Sequence, residues 1–257
     1  MKHTNFAFSI HKSGSSLFFG ILKDVCQESN RLNLNEKKQF SSIPNELFRQ
    51  GLGETPLKDP AFPKKYNIKF DNPDILYCGF RWVPAFFQGD IEKNAIIMGL
   101  VRDPRDVLTS HYFSMLKSHV IPKGKTGDAM EKNRKRLAQV NINDYMDGQI
   151  KTGFWLERLL RLTELKDNEG SKFWRYEDII FEKKKWLSEI LDHMSMNLPA
   201  ESKEKILLKW DILPSKEDTS KHIRKVIPGD HKEKLQPATI EKMNDYFSEI
   251  LDCWNYS

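Results

Sequence analysis

Residues 94–101, NAIIMGLV, constrain the fold of this chain more than any other stretch. From Ala95 to Val101 no residue is charged, and the run is rich in β-branched and aliphatic side chains. A strand without a polar face is buried on both sides, which is the environment of a parallel sheet covered by helices. The run passes directly into RDPRDVLTSHYFSML, where Asp103 and Pro104 supply the N-cap and first turn of a helix. Strand followed at once by helix is the repeating unit of the α/β class.

The rest of the chain continues that alternation. Residues 5–10 alternate apolar and polar as a strand, and residues 15–28 carry helical spacing through Leu17, Ile21, Leu22 and Val25. Residues 30–73 are polar and rich in Pro and Gly, which predicts a long excursion with a short strand near 39–43. Ile75-Leu76-Tyr77-Cys78 reads as a further core strand. The charged segment 117–141 reads as a surface loop or lid, and 143–165 as one amphipathic helix carrying Ile150, Phe154, Leu159 and Leu160. A strand at 171–176 and a helix at 178–194 follow. Residues 211–236 show little helical patterning, and a final helix runs from Pro237 to Trp254. The expected architecture is a central parallel sheet with helices on both faces.

Composition narrows the setting. A length of 257 residues fits one large domain or two small ones. No run of about 18 apolar residues is present, which predicts no membrane span. MKHTNFAF has none of the parts of a signal peptide. Cys26, Cys78 and Cys253 are odd in number and widely spaced, which predicts a reducing, cytoplasmic setting and neither disulfides nor zinc. The net charge of +5, from 41 basic and 36 acidic residues, suits an anionic ligand but lacks the clustering of a nucleic-acid binder. The lysines of EKKK at 182–185 read as a solvated helix face.

In such sheets the ligand lies beyond the carboxyl ends of the strands, which singles out residues 11–16, 79–83, 102–106 and 176–178. The first is HKSGSS, a small polar knot between a strand and a helix. A loop of this kind aims backbone N–H groups at one spot and adds the positive end of the following helix, so its expected ligand is a phosphate-like anion. Gly14 allows close approach or a left-handed turn, Ser15 and Ser16 offer hydroxyls, and Lys12 a point charge. The order is not that of the GxxxxGK[ST] nucleotide loop, because the lysine precedes the glycine; this disfavours an ATP-dependent phosphotransferase.

HKSGSSL, followed by VRDPRDVLTSHYF, resembles the two nucleotide-binding signatures of the sulfotransferase family, whose donor is 3′-phosphoadenosine 5′-phosphosulfate (PAPS). The first is similar to its PKSGTTW-type loop and the second to its R(N/D)P(R/K)DxxxS motif. WRYEDI at 174–179 and HIRKVIPGDHKEKL at 222–235 fall in the order of its YED and RKGxxGDWKxxF segments. The resemblance spans residues 6–235 and implies a P-loop NTPase-like sulfotransferase fold.

It also implies roles. Lys12 would bind the oxygen bridging phosphate and sulfonate and stabilise charge as the sulfuryl group leaves. The backbone of Ser13, Gly14 and Ser15 and the hydroxyls of Ser15 and Ser16 would hold the 5′-phosphate. Arg102, Ser110, Arg224 and Lys225 would hold the 3′-phosphate, Arg by its fork geometry, and Tyr176 would lie near the adenine. Arg105 reads as a surface or salt-bridge residue, and Asp106 as a structural partner for a nearby backbone or basic group.

The departures from the family pattern are as informative. His11 stands for a proline, Val226 for a glycine, His231 for a tryptophan, and Leu17 or Phe18 lies where an aromatic covers adenine. Attack on sulfur by a hydroxyl needs a proton acceptor. Many members place a histidine after the strand that here reads ILYCGFRWVP, yet no histidine occurs between 12 and 110. His11 and Glu46 are the candidates for the base; His111 and His119 read as helix-surface residues, and His222 stays open. Arg81, Trp82, Phe86 and Phe87 are the expected acceptor contacts. The implied activity is transfer from PAPS to a hydroxyl or amine of a small molecule or glycan, leaving adenosine 3′,5′-bisphosphate, with no metal. The alternative is a chain that binds the nucleotide but turns over weakly or not at all.

Overall fold

The computed structural model describes residues 3–118, 121, 125–213, 217–218 and 224–256. The chain divides into two units, one comprising Met1–Val101 and Arg158–Asp211, the other Arg102–Glu157 and Ile212–Ser257.

The first unit is built on a sheet of five parallel strands: β1 (Thr4–Ser9), β2 (Gln39–Ser41), β3 (Ile75–Phe80), β4 (Ala95–Val101) and β5 (Ser171–Arg175), in the order β2-β3-β1-β4-β5. The α/β class with a central parallel sheet flanked by helices is the observed architecture. β1 lies in the middle, with all six residues buried, and pairs with β4 from Thr4↔Ala95 to Ser9↔Leu100. On one face Phe6 and Phe8 stack nearly parallel, and the ring of Phe87 meets both edge-on at 4.8 and 4.7 Å. Edge-to-face pairs at this spacing add to the area buried. Gly99 of β4 leaves room for its register partner Phe173: a Cβ there would lie 2.0 Å from the ring.

Helix Ser15–Arg31 buries Ile21, Leu22 and Val25 as the spacing predicts, while Leu17 is half-buried and Phe18 and Cys26 join the core. Helix Ala200–Trp210, which the sequence did not reveal, is clipped to it by Lys205–Glu28 and Lys209–Asp24 ion pairs and by the Trp210 indole N–H donating to Asp24. The excursion at 30–73 contains helix Ile43–Arg49 and short turns at Thr55–Lys58 and Phe62–Lys65. The helix expected at 178–194 begins later, at Lys183. Lys183 itself is 4% exposed and paired with Asp211 at 2.8 Å, so the EKKK run is not wholly a solvated face.

The second unit is helical. Asp103 caps helix Pro104–Phe113 by accepting from the Arg105 N–H, as read from the sequence. The segment expected as a loop at 117–141 holds helix Lys125–Leu137. Its glycines sit at the start or before it, and the rest is made of strong helix formers whose charges remain solvated. The single helix expected at 143–165 is two, Ile142–Thr152 and Phe154–Glu164, parted at Gly153 with φ 69°. The last helix is likewise two, Pro237–Tyr246 and Ser248–Trp254.

Candidate active site

In the first unit the knot after β1 is a tight turn held by one serine. The Ser13 hydroxyl donates to the Ile10 carbonyl at 2.7 Å, accepts from the Ile10 N–H at 3.2 Å and meets the Ser9 hydroxyl at 2.9 Å. Lys12 and Gly14 on either side both have left-handed backbones, φ 67° and 84°. For lysine that conformation carries strain, which the interlocked Ser9–Ser13 pair stabilises. Gly14 is required twice over: its φ disfavours a side chain, and a Cβ would lie 2.8 Å from Tyr176 and 3.3 Å from Leu100. The buried Tyr176 ring therefore packs directly against the loop.

Gly14 is also the N-cap of helix Ser15–Arg31, and no side chain caps it. The first-turn N–H groups and the helix dipole are thus left to an external acceptor, the chemistry of an anion site. Ser15 is buried and Ser16 exposed. Of the two residues considered for adenine, Leu17 is half-buried, whereas Phe18 is fully buried between Phe19, Trp174 and Trp186.

At the carboxyl end of β3, Arg81 and Trp82 are half-buried. The Trp82 indole N–H donates to Glu54 at 2.9 Å, and the Arg158 guanidinium lies 5.2 Å from its ring centroid. Phe86 and Phe87, expected as acceptor contacts, are 2% and 1% exposed. Phe86 stacks on Phe70 at 5.0 Å and on Phe62 at 5.4 Å, so these rings form core rather than an open wall. The backbone turns inward at Pro84, where Phe87 N–H donates to its carbonyl at 2.9 Å. Glu54 was not singled out from the sequence, because no motif marks it; only the bond to Trp82 does.

Of the base candidates, His11 is half-buried beside Lys12. Glu46 is exposed on helix Ile43–Arg49, bonded to Arg49 at 2.8 Å and Gln50 at 3.0 Å. His111 is not a surface residue: its Nδ1 meets the Tyr145 hydroxyl at 2.5 Å, and its ring lies edge-on to Trp155 at 5.0 Å. His119 and His222 lie outside the described residues.

In the second unit Asp106 is the hub. It is fully buried and accepts from the Gly229 N–H at 2.7 Å, the His231 N–H at 3.0 Å, His231 Nδ1 at 2.7 Å and Arg102 Nη2 at 3.3 Å. Burial pushes its carboxyl up, but the His231 bonds and the Arg102 charge outweigh this and hold it well below the usual carboxylate range. The structural role expected of Asp106 is the one observed. Ser110, half-buried, lies one turn further along the same helix face.

Arg105 is 3% exposed, not at the surface, and forks onto Asp103 while donating to Asn244 at 2.7 Å. Arg224 is buried, lies 4.4 Å over the Phe113 ring and is engaged by Glu217 and Asp230. Lys225 contacts Asp230 at 3.2 Å and Glu233 at 2.7 Å. Both cations expected at a phosphate are thus held by carboxylates, which compete with a phosphate for their charge. Val226, in place of a glycine, is buried.

Among the described residues no helix is long and apolar enough to cross a membrane. Rat sulfotransferase 1E1 is 25% identical over 266 residues, a match covering 94% of this chain and 81% of the relative. Rat sulfotransferase 1A1 is 23% identical over 185 residues, and there the match spans 59% of the relative's length and 65% of this chain. Among solved structures, mouse sulfotransferase SULT7A1 complexed with PAP superposes with a TM-score of 0.61 at 17% identity, over 98% of this chain and 84% of that one. Retinol dehydratase in a complex with retinol and PAP gives 0.53 at 12% identity, over 96% and 80%. These likenesses bear on the fold. The family described as Sulfotransferase domain matches residues 85–255, and this chain belongs to it.

Proposed function

We propose that this chain is an enzyme that moves a sulfuryl group from PAPS to a hydroxyl or amine of a small-molecule or glycan acceptor, as one cytoplasmic domain spanning 1–257. The observation that carries the reading is the knot at 11–16: a lysine and a glycine, both left-handed, lead into an uncapped helix N-terminus. PAP, adenosine 3′,5′-bisphosphate, is in the complexes named for mouse SULT7A1 and retinol dehydratase, which supports the same nucleotide here.

Transfer is in-line and direct. The acceptor oxygen bonds to sulfur as the bond from sulfur to the phosphate oxygen breaks, and the acceptor proton passes to a base. Lys12 stabilises the charge that develops on the departing phosphate oxygen. Ser13, Gly14, Ser15 and Ser16 hold the 5′-phosphate, with the loop serine hydroxyl of Ser13 turned inward to fix the turn. Arg102, Ser110, Arg224 and Lys225 hold the 3′-phosphate. Tyr176 supports the loop from beneath, adjacent to the nucleotide. Arg81 and Trp82 face the acceptor. His11, beside Lys12, is better supported as the base than Glu46, whose carboxylate is exposed and bound to Arg49.

A second reading, a nucleotide binder without turnover, is favoured by the absence of any histidine between 12 and 110. Thermal melts with PAP, 5′-AMP and Mg-ATP test the nucleotide class. A ligand at about 100 times its Kd adds roughly 2.7 kcal/mol. Stabilisation by PAP without metal is expected, and stabilisation by Mg-ATP alone overturns the reading. Release of PAP from PAPS in the presence of phenolic, alcoholic and sugar acceptors then separates enzyme from binder.

A further inference from the structure

Nε2 of His231 is buried and has no hydrogen-bond partner among the described residues. The residue is 1% exposed, and its orientation is fixed from the other side. Its backbone N–H and Nδ1 both meet the same Asp106 oxygen, at 3.0 and 2.7 Å. An ionised carboxylate only accepts, so Nδ1 carries a proton and the ring cannot turn without losing that bond. The other Asp106 oxygen takes Arg102 Nη2. One carboxylate therefore aligns an arginine and an imidazole together, with Ser110 a turn away on the same helix face. A buried polar atom left without a partner is costly, and such atoms in native folds ask for a ligand or a function.

We propose that Nε2 of His231 binds the same anion as Arg102, which, on the reading given under Proposed function, is the 3′-phosphate of the nucleotide. His231 meets it as an imidazolium, with Nδ1–H on Asp106 and Nε2–H on a phosphate oxygen. The charged groups of its own unit that share this network are Asp106 and Arg102 on one side, and Asp230, Arg224, Lys225 and Glu233 along the segment that carries it. The pairing also gives His231, which replaces an apolar-bodied tryptophan, a task that tryptophan could not perform as a cation.

Calorimetric titration of the full chain with PAP and with 5′-AMP tests this. His231→Asn keeps a donor at the position of Nδ1, and His231→Gln one at the position of Nε2. PAP should bind H231N about tenfold weaker or worse, the loss of one charge-assisted contact, with 5′-AMP unaffected and H231Q retaining most of the affinity. Equal weakening of PAP and 5′-AMP, or unchanged PAP binding by H231N, overturns the assignment while leaving the nucleotide reading intact. Failure of wild type to bind PAP overturns both. If H231N does not fold, ¹⁵N-histidine spectra of wild type decide. The Nε2 resonance should shift on adding PAP but not 5′-AMP, and an unmoved resonance refutes the contact.

Discussion

Replacing Asp106 by asparagine keeps the shape of the hub and removes its charge. The carboxylate accepts two bonds on each oxygen: the His231 N–H and Nδ1 on one, the Gly229 N–H and Arg102 Nη2 on the other. An amide removes the charge that Arg102 faces and turns its NH₂ toward one pair of donors, so at least one buried donor loses its acceptor whichever way it lies. Breaking a buried ion pair of this kind costs about 3–5 kcal/mol. At roughly 2–4 °C per kcal/mol for a chain of this size, the melting temperature should fall by about 6–20 °C. The acid side gives a second reading. The folded-state pKa of Asp106 lies below its unfolded value, so its contribution is full above about pH 5 and is lost as pH falls below that. The melting temperatures of wild type and D106N, followed by circular dichroism from pH 7 to pH 3, should therefore converge on acidification. A loss under about 1 kcal/mol at pH 7, or a gap that does not narrow in acid, would refute the hub.

Gly14→Ala should destabilise the loop by about 1–2 kcal/mol through its left-handed φ alone, and by more through the contact with Tyr176; a melt unchanged from wild type would deny that the knot is rigid. Arg102→Ala should abolish measurable PAP stabilisation in thermal melts, and a normal shift removes Arg102 from the phosphate. Lys12→Ala should slow PAP release from PAPS more than it weakens PAP binding; a change confined to affinity removes its part in the chemistry. Burial pushes the Cys26 thiol up to about 12 and Cys78 well above its ordinary value, so iodoacetamide at pH 8 should label the native chain at the half-buried Cys253 alone. Labelling of either buried thiol before unfolding contradicts that packing.

What the sequence disclosed follows its physical redundancy. β3 and β4 are continuous apolar runs whose burial on two faces leaves no other reading, β1 shows the period-two alternation of a strand, and the cap at Asp103 is a local bond between residues two apart. Helix Ala200–Trp210 escaped because few of its side chains are buried, Leu208 being 77% exposed, and because its anchors are ion pairs to residues some 180 positions earlier. Gly153 decides the break between Ile142–Thr152 and Phe154–Glu164, but one glycine in an amphipathic pattern carries little weight by itself. In the site, the loop reads from local chemistry as an anion-binding turn, whereas the part given to Arg102 comes from the family resemblance. The inward turn of Phe86 and Phe87, the tie of Glu54 to Trp82 and the convergence of His231 on Asp106 were not legible, since each depends on pairing across long stretches of chain.

The central position of β1 also sets a clock. Its Ser9 hydroxyl reaches Leu100, 91 residues further on, and the neighbours of the strand, β3 and β4, begin only at Ile75 and Ala95. At 5–20 residues per second of synthesis, β1 waits about 5 to 18 s before both its edges can be paired, with a pair of phenylalanines in water until then. Such a segment is what holdase chaperones bind and what seeds aggregation in their absence. Yield of the native chain should therefore depend on temperature and on translation speed between residues 10 and 100 more than on the stability of the finished protein. Synonymous codons that slow or hasten that interval would change how much native protein is recovered without altering a single contact.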